Sequence, residues 1–123
     1  MKSLNKIIGL LLLLTFAFSC KKQDLPAKPQ PSPFSVTVQN AATVPTAGGK
    51  VMIDIKAGSD GWWLNIPSEA KAWCGSSQSF GSGDKTITLT FKANATGAPR
   101  SVMIQFNPTF DLPSETISFQ QDQ

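Results

Sequence analysis

The chain has 123 residues, with eleven Lys and Arg against eight Asp and Glu, no His, no Tyr and two Cys. That length allows one small domain, and the charge is too even for a nucleic-acid-binding surface. Without His and with so few thiols, a Ser-His-Asp arrangement and His or Cys metal centres are excluded, so no metal or cofactor is expected and carboxylates are the remaining candidates for catalysis.

Lys2 and Lys6 precede an apolar run from Ile7 to Phe18, and Cys20 follows it closely. Basic residues, a short apolar segment and small residues before a cut describe a secretory signal over residues 1–19; a spanning helix needs roughly 20 apolar residues. The stretch Ala17-Phe18-Ser19-Cys20 resembles a bacterial lipobox. That resemblance implies lipidation at Cys20, which becomes the first mature residue, membrane attachment through the N-terminal lipid, and residence at the outer membrane, on its periplasmic or its outer face. Several acyl chains, at about 0.8 kcal/mol per buried methylene, hold a protein firmly. An ordinary leader cut near Ala17 is the competing reading. Loss of Lys2 and Lys6 leaves nine basic against eight acidic side chains.

Residues 20–33 read as a linker from the anchor. Pro26, Pro29, Pro31 and Pro33 alternate with polar and small residues, a composition that favours polyproline II. At about 3.1 Å per residue this stalk spans on the order of 30 to 40 Å.

From residue 34 to 123 the apolar residues recur with period two, and a helical spacing is nowhere sustained. Phe34, Val36 and Val38 share one face of a first strand. Val51, Ile53 and Ile55 oppose Lys50, Met52, Asp54 and Lys56 in a second, after a break at Gly48-Gly49. Trp62, Leu64 and Ile66 alternate with Trp63 and Asn65 in a third, and Ala72 to Cys74 suggest a fourth. Turn chemistry is expected at Gly75-Ser76-Ser77 and at Gly81-Ser82-Gly83-Asp84. Ile87, Leu89 and Phe91, then Val102, Ile104 and Phe106, then Ile117 and Phe119 complete the series. About seven short strands, each with one apolar face, predict an all-β, immunoglobulin-like antiparallel β-sandwich.

The order Gly48-Gly49-Lys50-Val51, Trp62, Ala72-Trp73, a Gly- and Ser-rich turn, Thr86 to Phe91, Ala93-Asn94, Arg100-Ser101-Val102 and Ile117-Ser118-Phe119-Gln120-Gln121 resembles the BACON domain (Bacteroidetes-associated carbohydrate-binding often N-terminal). The likeness covers nearly all of residues 34–123. Trp73-Cys74 departs from the usual Trp-Leu pair, which implies that Cys74 takes an inward aliphatic place. The resemblance implies an immunoglobulin-like sandwich in glycan-handling or surface proteins, with glycans, glycoproteins or envelope proteins as partners. Fold alone does not supply the function.

Consecutive strand residues point to opposite faces, so Trp62 and Trp63 cannot enter the same core. Trp62 shares parity with Leu64 and is expected inside; Trp63, Met52 and Met103 are expected outside. In an immunoglobulin-like pairing the third strand lies beside the sixth, which brings Trp63 towards Met103 and Gln105 as a candidate ligand-binding platform. Exposed indole faces suit both sugar C–H surfaces and protein partners. Cover by a loop, the stalk or another domain is the competing reading for Trp63.

Trp73 could lie on either face and is taken as a packed structural residue. Arg100 is expected to stack on an indole or pair with a carboxylate, and Asn94 to close a turn through its amide. Cys74, left without a partner once Cys20 is lipidated, is expected to be buried and inert. Asp60 and Glu69 could serve a hydrolase only if they face each other across about 5 to 10 Å. A calcium site from Asp60, Asp84 or Asp111 lacks a dense acidic loop. The sequence thus favours a non-enzymatic, lipid-anchored binding module, with a structural spacer or protein-interaction module as the alternative.

Overall fold

A computed structural model of the chain describes residues 26–123. The expected secretory signal over residues 1–19, Cys20 and the expected linker up to residue 25 lie outside the described residues.

Among the described residues nine strands form two packed sheets: β1 (Ser35–Val38), β2 (Thr43–Val44), β3 (Gly49–Lys56), β4 (Gly61–Asn65), β5 (Cys74–Ser76), β6 (Phe80–Ser82), β7 (Lys85–Phe91), β8 (Arg100–Pro108) and β9 (Glu115–Gln121). One turn of 3-10 helix, Ser68–Ala70, precedes β5. The four-stranded sheet has the order β1-β3-β7-β5 and the five-stranded sheet β2-β9-β8-β4-β6. The first reproduces the A-B-E-D order of an immunoglobulin domain, and β9-β8-β4 reproduces G-F-C. The expected sandwich is therefore present.

Alternation fixes the core. Val51 and Ile53 of β3 face Leu89 and Ile87 of β7 across the ladder, and with Ile55 their side chains join Ile104, Phe106 and Phe119 of the other sheet in one buried cluster. Each such side chain contributes about 1.5–3 kcal/mol on leaving water. Cys74 sits in this layer opposite Phe91. Burial pushes its thiol up to about 11, so it stays protonated and unreactive near neutrality.

The two ends of the sandwich are tied differently. At one end gather the β3–β4 turn, the β6–β7 turn and the β8–β9 loop: Gly83 N–H donates to the Asp60 carbonyl, and Thr109 N–H to the Gly61 carbonyl. At the other, the Asn94 amide donates to the carbonyls of Ala98 and Asp122 at 2.7 and 2.9 Å and accepts from Thr96, while its backbone N–H reaches Thr46. Asn94 thus closes its turn and also holds the C-terminal strand.

Several expectations need correction. Two strands, β2 and β6, were not anticipated, and β2 pairs with β9 in parallel rather than antiparallel. The fourth strand is Cys74–Ser76 rather than Ala72 to Cys74, so Gly75 and Ser76 belong to a ladder with Thr90 and Leu89 instead of a turn. Phe80–Ser82 likewise pairs with β4, which confines the next turn to Gly83 and Asp84.

Candidate functional site

The indole of Trp62 organises the site. It is 2% exposed, and its Nε1–H donates to the Gly83 carbonyl at 3.1 Å, which satisfies the one polar atom that burial would otherwise orphan. Gly81 pairs with it across the ladder, and a Cβ at that position would lie 2.8 Å from the Trp62 ring. Only a residue without a side chain lets β6 close so tightly on β4. That closure puts the next pair of the ladder, Phe80 and Trp63, directly opposite each other on the outer face.

Trp63 is 45% exposed and Phe80 74%. Directly opposite residues on neighbouring strands have Cβ atoms about 4.5–5.5 Å apart, so the two side chains form one aromatic patch. On its other side Trp63 faces Asn107 of β8, which is buried and accepts a hydrogen bond from Ser114 Oγ at 2.8 Å. The β8–β9 loop therefore bounds the patch there without covering the indole.

The register corrects the platform read from sequence. Trp63 is outward and β4 does pair with β8, but Asn107, not Met103, is its partner. Gln105 lies one step diagonally away, opposite Asn65 and Thr116. Met103 is outward and 64% exposed, yet it stands opposite Ser118, four residues along β8 from Asn107 and thus roughly 14 Å away at about 3.4 Å per residue. Face parity does not specify the row, and the row separates Met103 from the indole.

Phe80 was missed. Its signal was present: a lone aromatic between Ser79 and Gly81 has no apolar neighbours at strand spacing with which to enter a core. Gln121 was missed for the opposite reason, as an amide at an inward position in phase with Ile117 and Phe119. It is almost fully buried, donates to the carbonyls of Pro45 and Lys92 and accepts from Arg100 Nε at 2.8 Å.

Trp73 and Arg100 take structural places. The Trp73 ring packs against Phe91 at 6.2 Å between centroids, and the Arg100 guanidinium lies over it at 4.1 Å. Arg100 also donates to the carbonyls of Lys92 and Ala93, so its stacking partner is an indole rather than a carboxylate.

The acidic residues are occupied or scattered. Asp60 accepts from the Ser32 backbone N–H, and Glu69 lies on the 3-10 turn beyond the far end of β4. Five extended residues separate them, which places the two beyond the about 5 to 10 Å of a paired-carboxylate site. Asp84 accepts from the N–H groups of Ala57 and Gly58 at 2.9 Å and pairs with Lys56 at 3.5 Å. Those two amides hold its carboxyl below the usual carboxylate range. No group of three or more metal-ligating side chains occurs among the described residues.

The chain matches no protein-family model and no curated protein. Among solved structures its fold is similar to part of a Bacteroides ovatus GH5 xyloglucanase in complex with a XXXG heptasaccharide, with a TM-score of 0.59 and 23% identity over 72% of this chain. The match spans 19% of that protein's chain, and at this identity the likeness is one of fold.

Proposed function

We propose that the protein is a non-enzymatic binding module of a bacterial envelope, of BACON type and lipid-anchored through Cys20, that contacts glycans or glycoproteins through the Trp63–Phe80 patch. The observation that carries this reading is the pair of exposed aromatic side chains on adjacent strands, seated there by Gly81 and buried Trp62. Aromatic faces left in water on a small domain offer apolar area to the C–H faces of sugars, and neighbouring amides and hydroxyls can bond sugar hydroxyls. The fold shared with part of a xyloglucanase is in keeping with a protein of the glycan-handling surface.

Glycan arrays and calorimetry with the wild type, Trp63→Ala and Phe80→Ala test the reading. Binding by the wild type, weakened about tenfold or more in each variant, is the expected result, as for the loss of a stacking residue. Absence of binding in the wild type, with co-purification of an envelope protein instead, would transfer the role to the spacer or protein-interaction alternative.

A further inference from the structure

The outer face of the five-stranded sheet carries no charged side chain. Taken by register from the β6 edge, its rows hold Phe80, Trp63 and Asn107; then Asn65, Gln105 and Thr116; then Met103 and Ser118; then Ser101, Gln120 and Thr43. The opposite sheet is built on the same alternation and exposes Lys50, Asp54 and Lys56 from β3 alone. The charged residues of these strands, Arg100 and Glu115, fall in phase with the inward Gln121 and Phe106 at the ends of β8 and β9, so the outward rows themselves present no local charge to attract or repel ions.

From this we infer that the ligand of the face is an uncharged polysaccharide, rather than a uronate-bearing, sialylated or sulfated one. The inference rests on the glycan reading above and narrows it. An acidic chain laid over the Trp63–Phe80 patch would lose water from its carboxylates or sulfates and find no cation on this face to replace it. A neutral chain presents hydroxyls, and the row next to the aromatics answers them with two amides and a hydroxyl, Asn65, Gln105 and Thr116, each of which can donate and accept. The aromatic end then supplies apolar area and the amide row supplies orientation, the usual division of labour in a binding site.

The full chain, titrated by calorimetry with an uncharged β-glucan and an uncharged mannan and with polygalacturonate and a sulfated glycan, tests this at about 0.05 M and about 0.5 M salt, where the screening length falls well below the size of the face. The expected result is binding of at least one neutral polymer about tenfold or more tighter than either acidic polymer. Its affinity should change less than about twofold with salt, since no ions are released. Trp63→Ala should remove that binding, and Met52→Ala, on the opposite face, should leave it intact. Tighter binding of an acidic polymer through Trp63, or a steep loss of affinity with salt, overturns the neutral-ligand inference while sparing glycan binding. Binding of no polymer overturns both.

Discussion

On the outside of the four-stranded sheet, Lys50, Asp54 and Lys56 stand among Thr86, Thr88 and Thr90; on the outside of the five-stranded sheet, Trp63 and Phe80 stand among Asn65, Gln105 and Thr116. Both faces grow from strands with the same inward apolar rhythm, so the core does not dictate the difference. The first face is knitted to itself: Asp54 accepts from the Gln39 amide at 2.9 Å and from the Thr86 hydroxyl across the ladder. Charges and threonines there, on the two interior strands of the sheet, keep the face solvated. The second face leaves rings in water where smaller polar residues would serve folding equally well. On the proposed reading, such a surface has its explanation in what it meets.

The comparison requires that both faces share one rigid support, and the severest way to break it is to remove Trp62. Trp62→Ala should cost about 3–5 kcal/mol, since it empties the core position beneath Gly81 and frees the Gly83 carbonyl. In chemical denaturation this is a large fraction of the stability of a domain this small. A loss below about 1 kcal/mol would mean that the seating of β6 depends on something else.

A smaller effect sharpens the contrast in charge. The Thr86 hydroxyl first, and then the Gln39 amide, hold the Asp54 carboxyl below the usual carboxylate range, as the Ala57 and Gly58 amides do for Asp84. A carboxylate with a lowered folded value contributes its stability in full above its unfolded value near 3.8 and loses it as the pH falls through the folded value. Stability should therefore be flat from neutrality down to about pH 4 and fall below it. In the double variant Asp54→Asn, Asp84→Asn the fall should be shallower, as followed by thermal melts across that range. An unchanged acid profile in the double variant would show that the titration belongs elsewhere.

The smallest expected effect lies on the aromatic face. Trp63→Ala and Phe80→Ala should each change stability by less than about 1 kcal/mol, because much of each side chain is already in water. Adjacent indoles would then differ severalfold in their worth to the fold. A loss at Trp63 matching that at Trp62 would mark it as a packing residue and remove the reason for reading the face as a binding surface.

The sandwich was legible because alternation is a strong signal wherever a strand is long enough to repeat it, as in Val51-Ile53-Ile55 or Val102-Ile104-Phe106. The same signal divided Trp62 from Trp63. It was silent for β2, with two residues, and for β6, whose Phe80-Gly81-Ser82 has no period to read. Register was beyond it as well: parity assigns a face, and the pairing of Trp63 with Asn107 and Phe80 depends on where hairpins and loops close. Gln121 escaped because its burial is made tolerable by Arg100, Pro45 and Lys92, partners distant in sequence that only the folded chain assembles.

The approach to the first strand is held at a fixed point. Ser32 donates its backbone N–H to Asp60, Ser59 N–H reaches Ser32 Oγ, and Gly58, with φ of +61°, passes so close to Ser32 that a methyl group there would collide with it. The described chain is thus fixed to the β3–β4 turn from Ser32 onward, and Trp63 stands only three residues beyond Asp60. The aromatic patch therefore lies at the end of the sandwich where the N-terminal segment enters. With the lipid anchor proposed at Cys20, that mounting would carry the patch close to the anchoring surface and favour strands lying along it over those arriving from far outside.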